Sequence, residues 1–144
     1  MLRPPSEFED IAADYRHVRL TLGRHPLGLL RPQLEELGLA SAAAAAKLSH
    51  GSRVRAAGLV VTRQRPSSAA GVIFVTLDDE SGYLNLIVWE RVAERFRRAL
   101  LGATLLGVEG RVQKEGDVLH VVARRLFDLS GLLGGLEMES RDFR

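Results

Sequence analysis

The feature that most constrains this chain is a change of period at about residue 51. Beyond it, apolar residues recur at every second position in short runs bounded by Gly, Pro, Ser and Asp, and a single stretch returns to helical spacing. Arg53 to Arg63 reads as a first strand, with Gly58 marking a bulge or sharp bend. A Pro-, Ser- and Gly-rich loop over 65–71 leads to a second strand, Val72 to Leu77. Asp79-Glu80-Ser81-Gly82 is a hairpin turn, with Gly82 free to take positive φ, and Tyr83 to Trp89 is a third strand. Over about 90–101, Val92, Phe96 and Leu100 recur every four positions, which predicts one helix ended by Gly102. Thr104 to Val112 and Val118 to Leu126 are a fourth and a fifth strand around the turn Lys114-Glu115-Gly116-Asp117.

Three strands, a helix and two strands form the element order of an OB-fold, a five-stranded Greek-key barrel with its helix between strands three and four. The expected class is therefore mainly β, preceded by a short α-helical segment. The rival is an unrelated small β-barrel or an open α+β sheet. The first strand of an OB barrel bends to serve both halves, which gives Gly58 a purpose. The chain divides into a helical junction segment, 1–50, an OB-fold nucleic-acid-binding domain, 51–130, and a C-terminal tail, 131–144.

In the first segment, Ser6 and Glu9 form a capping box for a helix over about 7–17 bearing Phe8, Ile11, Ala12 and Tyr15. Pro26 suits a helix start after Gly23-Arg24-His25. Leu27, Leu30, Leu34 and Leu37 make an apolar stripe interrupted by Pro32, with Gly38 as C-cap. Ser41 can cap the run Ala42 to Ala46. This stripe is expected to lie exposed and to permit self-association.

With 144 residues, 46% of them apolar, the chain can bury one ordinary core. It has no cysteine, which excludes disulfides, thiolate metal sites and a cysteine nucleophile. No apolar run is long enough to span a membrane, and the N-terminus has no signal-peptide core, so a cytoplasmic protein without a membrane partner is expected. The net charge of +2 carries no nucleic-acid argument by itself. The kind of base says more: Lys47 and Lys114 are the two lysines among 20 basic residues, and arginine suits planar phosphate and base contacts, although a GC-rich genome gives the same bias.

Strand phase decides which side chains face outward. Ile73, Val75 and Leu77 should be core, leaving Phe74 and Thr76 outside. Leu84, Leu86 and Val88 should be core, leaving Tyr83, Asn85 and Ile87 outside. The outer face of strands two and three is where OB-folds take oligonucleotides, and single-strand binders combine stacking rings with a basic groove. The expected nucleic-acid-binding set is Arg53, Arg55, Arg63, Gln64, Arg65, Phe74, Thr76, Tyr83, Asn85 and Lys114. Arg63 and Arg65 stand out, since loop arginines beside Pro and Gly have little structural use. Structural readings compete: Phe74 plugging a barrel end, Tyr83 packing on its turn, Trp89 sitting in the barrel bottom against Phe96, and Arg91, Arg95, Arg97 and Arg98 forming a solvated helix face.

Catalysis has little support. His17, His25, His50 and His120 are scattered, and neither HExxH, GxSxG nor a Walker A sequence occurs. Asp78-Asp79-Glu80 reads as a surface turn in preference to a Mg²⁺ site. Neither catalytic nor metal-ligating residues are expected.

Several stretches in order carry a family likeness: Asp14-Tyr15, Thr21-Leu22-Gly23-Arg24-His25-Pro26-Leu27, Val54-Arg55-Ala56-Ala57-Gly58-Leu59-Val60, Arg63-Gln64-Arg65-Pro66, Gly71 through Gly82, Asn85-Leu86-Ile87-Val88-Trp89, Val118 through Ala123 and the terminal Ser140-Arg141-Asp142-Phe143-Arg144. They resemble the C-terminal region of bacterial C-family DNA polymerases, and most closely the error-prone, ImuC-type translesion branch. The resemblance implies a piece of a DNA-directed DNA polymerase whose catalytic carboxylates and Mg²⁺ lie elsewhere, so no cofactor is expected here. It implies an OB domain that touches single-stranded template or primer-template DNA in translesion synthesis and induced mutagenesis, with ImuA and ImuB as partners. The alternative is a protein-interaction module, in which the barrel or the leucine-bearing stretch Leu129 to Leu136 docks a partner such as ImuB.

Overall fold

A computed structural model describes residues 25–65 and 71–134. The helix expected over 7–17, with Phe8 and Tyr15, and the end of the tail lie outside the described residues. The elements are α1 (Pro26–Glu36), α2 (Ala42–Ala46), β1 (Arg53–Gln64), β2 (Val72–Asp79), β3 (Gly82–Trp89), α3 (Glu90–Arg95), α4 (Arg97–Gly102), β4 (Leu105–Glu115) and β5 (Val118–Asp128). The strands close a barrel in the order β1-β2-β3-β5-β4. The closing pair, β3 with β5, is parallel at Leu86–Val121 and Ile87–Val122. This is the expected five-stranded OB architecture.

The bent first strand serves both halves. Its residues Arg53 to Leu59 pair with β4, and Leu59 to Gln64 pair with β2, so Leu59 faces both Leu105 and Asp78. Gly58 is needed for close approach: a Cβ there would meet Leu77 Cβ at 2.8 Å. The register slip itself falls between Val60 and Thr62, three residues later than expected. β4 and β5 both run longer than their apolar runs, because ladder hydrogen bonds extend through Lys114–Leu119 and Glu115–Val118 at one end and Leu106–Asp128 at the other.

The barrel core is aliphatic: Val75, Leu77, Leu86, Val88, Leu106, Val108, Val112 and Val121 among others, closed by Ala42 and Ala45 of α2 and by Ala93, Leu100 and Ala103 around the α3–α4 segment. The single helix expected over 90–101 is broken at Phe96, whose φ of −111° and ψ of 34° end α3 and start α4.

A second core lies outside the barrel and corrects the expectation of an exposed N-terminal stripe. Leu27, Leu30 and Leu34 are buried against Ala57, Leu59 and Leu105, with Leu129, Leu132 and Leu133 packed alongside. Burying each leucine contributes about 1.5–3 kcal/mol, so the stripe that could have held a second copy is already covered, with Leu37 left exposed. Pro32 stays inside α1. His25 caps the helix through Nδ1, which accepts from the Leu27 amide at 3.1 Å. At the other end Gly38, with φ +77°, completes a Schellman turn: its amide donates to the Glu35 carbonyl and that of Leu39 to the Leu34 carbonyl, each at 2.9 Å. No helix among the described residues is long and apolar enough to cross a membrane.

Candidate nucleic-acid interface

Alternation on β3 sends Leu84, Leu86 and Val88 into the core and leaves Tyr83, Asn85, Ile87 and Trp89 in one outward file. β2 sets Phe74 beside Ile87 and Thr76 beside Asn85, and β1 adds Gln64 beside Phe74. Phe74 and Thr76 are half-buried and Asn85 is exposed; Tyr83 is 68% exposed. The Thr76 hydroxyl donates to Asn85 Oδ1 at 3.0 Å, so the Asn85 amide nitrogen is the group offered outward.

Trp89 was expected in the barrel bottom, and the structure corrects this. It continues the outward file of β3, pairs with Val72, and is 53% exposed. One further step of the alternation that exposes Tyr83, Asn85 and Ile87 would have found it. Three rings of β2 and β3 therefore stand outward: Phe74, Tyr83 and Trp89.

The cations are distributed otherwise than expected. Arg63 is not a loop residue. It is buried in β1 and its guanidinium donates to two main-chain oxygens at the end of α4, those of Leu100 and Ala103. Its place in the sequence, beside Arg65 and Pro66, gives no hint of this, because both acceptors lie some forty residues away. Arg65 is exposed one residue beyond the Gln64–Phe74 pair, and residues 66–70 of the loop lie outside the described residues. Arg53 and Arg55 stand on the other half of β1, opposite Arg111 and Glu109 of β4, away from the rings. Lys114 belongs to β4, not to the turn. It shares the phase of buried Val112, faces Leu119, and its amide donates to His50 Nδ1 at 3.0 Å. Of the expected set, the structure brings together Gln64, Arg65, Phe74, Thr76, Tyr83 and Asn85.

The acids of the β2–β3 turn were expected to be solvated. Asp78 and Asp79 are instead buried. Asp79 Oδ2 accepts from the Ala42 amide at 2.7 Å, while its Oδ1 accepts from the Ser81 amide and hydroxyl and the Gly82 amide. Ser81 and Ser41 hydroxyls take the Ala43 and Ala44 amides, so the first turn of α2 is satisfied by side chains. Asp78 Oδ2 lies 3.2 Å from His25 Nε2. Glu80 receives two hydrogen bonds from Arg31, at 2.7 and 2.8 Å. These bonds, above all, hold the Glu80 carboxyl below the usual carboxylate range and raise the Arg31 guanidinium above its own. The turn thus fastens α1 and α2 to the barrel. Among the described residues no group of three His, Asp or Glu side chains is placed to hold a metal ion.

The OB-fold nucleic acid binding domain family matches residues 54–129. An error-prone DNA polymerase of Alkalilimnicola ehrlichii is 55% identical over 142 residues, 99% of this chain and 14% of the relative. One of Pseudomonas fluorescens is 53% identical over 140 residues, 97% of this chain and again 14% of the relative. Among solved structures, the p204 HINb domain superposes with a TM-score of 0.52 at 14% identity, covering 65% of this chain and 47% of that one, a likeness of fold. Matched through its barrel, and spanning 14% of the length of these polymerases, the chain belongs to the OB-fold nucleic acid binding domain family as it occurs in error-prone DNA polymerases.

Proposed function

We propose that this chain is the module that holds single-stranded template for an error-prone DNA polymerase acting in translesion synthesis. The observation that carries the reading is the outward file of β3, where Tyr83 and Trp89 are 68% and 53% exposed with Asn85 between them. Phe74 stands on the neighbouring strand. Each ring can stack a base for about 1–3 kcal/mol without regard to its identity, and the Asn85 amide can donate to a base edge. Arg65 supplies a phosphate contact at the edge of this face. Nucleotidyl transfer, and the Mg²⁺ it uses, belong in this reading to the remainder of the polymerase. So does its setting in the cytoplasm.

The test is fluorescence anisotropy of a labelled oligothymidylate against the 144-residue chain. Weak binding with a shallow log–log salt slope of roughly −0.7, for the phosphate contact at Arg65, is expected. Tyr83→Ala/Trp89→Ala should weaken it by about 1–3 kcal/mol per ring. A double variant that binds like the parent would remove the proposal.

The second reading is docking of ImuA or ImuB. Of the leucines in the expected docking segment Leu129 to Leu136, Leu129, Leu132 and Leu133 are engaged in the second core, and Leu136 lies outside the described residues. In this reading the partner docks on the barrel surface or on residues 135–144, and a pull-down with ImuB before and after removal of 135–144 separates the two.

A further inference from the structure

On the other side of the barrel, the strand halves that pair β1, β4 and β5 form an open cleft of about 580 Å³. Arg53, Arg55, Arg111, Arg124 and Arg125 line it, with Glu109 as the one acid among the described lining residues. Glu109 lies 3.9 Å from Arg55 and 3.6 Å from Arg125, so one carboxylate is shared by two guanidiniums. Among the described residues, no carboxylate pairs with Arg53, Arg111 or Arg124 there.

The sheet register concentrates this charge at a cost. Arg53 stands directly opposite Arg111. Like charges in that position lower the stability of a strand pair, and an anion between them reverses the sign. Arg111 is steadied by donating to the Gly51 carbonyl at 2.9 Å, and Arg55 by lying 5.9 Å from the centroid of the Phe127 ring. The floor is low because Gly110 must be glycine: a Cβ there would stand 2.1 Å from the Val122 carbonyl oxygen. No aromatic ring is among the described lining residues, Phe127 lying against Arg55. The cleft offers bidentate charge without stacking, the opposite chemistry to the face of Tyr83 and Trp89.

The geometry points to a second nucleic-acid site: the arginine cleft takes the phosphodiester backbone of paired DNA, while the aromatic file takes the unpaired strand. Paired bases have no free faces to stack, so a site that reads phosphates alone suits a duplex. The two surfaces adjoin through the parallel β3–β5 pair. Two residues beyond Ile87–Val122 come Trp89 on one strand and Arg124 on the other. This inference extends the template-holding reading to the junction between single and double strand.

The experiment titrates the 144-residue chain with a blunt DNA duplex and, separately, with oligothymidylate, each by anisotropy. Arg53→Gln/Arg111→Gln/Arg124→Gln should weaken duplex binding by about tenfold or more and reduce the magnitude of its salt slope by about 2.7, the value for three phosphate contacts. Oligothymidylate binding should hold, and the matching triple lysine variant, which keeps the charge, should retain most of the duplex slope. Unchanged duplex binding in the glutamine variant overturns the inference. So does an equal loss for both ligands in a variant with a parental melting curve, since the cleft would then belong to the single-strand path. Displacement of the duplex by polyglutamate at equal charge concentration would mark an acidic-peptide site, and displacement by pyrophosphate a site for free phosphates; either result also overturns it. If oligothymidylate binds and the duplex does not, this inference alone fails. If neither binds, the template-holding reading fails with it.

Discussion

The Arg63 guanidinium reaches from β1 to the far end of α4, where its Nη2 donates to the Ala103 carbonyl oxygen at 2.6 Å while its Nε donates to that of Leu100. The last carbonyls of a helix have no partner within the helix, and here a buried arginine on the first strand supplies one. Arg63→Ala should therefore destabilise the fold by about 1–3 kcal/mol, the cost of stranding buried acceptors. Urea denaturation checks this. Oligothymidylate affinity per folded molecule should stay at the parental value, and a selective loss of affinity at unchanged stability would contradict the structural role.

Asp79 performs the corresponding task at the opposite end of a helix. Its carboxylate receives the Ala42 amide and the Ser81 and Gly82 amides of its own turn. Asp79→Ala should cost about 1.5–3 kcal/mol, the range for hydrogen bonds to a charged group. Hydrogen exchange at Ala42 should accelerate before exchange in the barrel strands. Uniform acceleration throughout would mean that α2 does not open separately.

Glu80 sets a pH dependence. Arg31 holds its carboxyl below the usual range in the folded chain, so the folded state binds that proton less readily than the unfolded one. The resulting stability is complete above the ordinary carboxylate range and disappears as pH falls through the depressed value. Glu80→Gln should lower stability at neutral pH and leave stability below the depressed value nearly unchanged, so that the acid limb of a stability–pH curve flattens. An acid limb unaltered by the substitution would show that the pair does not contribute.

Gly110 is predicted to tolerate no side chain. Its added Cβ would meet the Val122 carbonyl oxygen at 2.1 Å, main chain that cannot swing aside. Gly110→Ala should lower stability by about 1–3 kcal/mol or more, as read by thermal melting. Gly102→Ala, where nothing lies within 4 Å, is the control and should be near neutral.

The strand alternation of Ile73 to Leu77 and Leu84 to Val88 identified which residues enter the core, and the punctuation at Gly58, Gly82 and Gly102 located the bend, the turn and the helix end. Those signals are local, since a period of two and a residue's backbone freedom are properties of a few neighbouring positions. Ser41 as a helix cap was legible for the same reason. The error at Trp89 was also local: the same alternation exposes it, but its size and its nearness to Phe96 suggested core.

Sequence alone therefore determined the element order, the barrel class and the outward phase of Phe74, Thr76, Tyr83 and Asn85. Tertiary structure decided what the charged groups do. Arg63 became a helix-end donor, Asp79 a helix-start acceptor, and Arg53 with Arg55 part of a cleft shared with Arg111, Arg124 and Arg125. The physical reason is reach: a long charged side chain takes its role from whichever distant strand or helix end lies within a few ångströms, and closure of the barrel alone sets that distance.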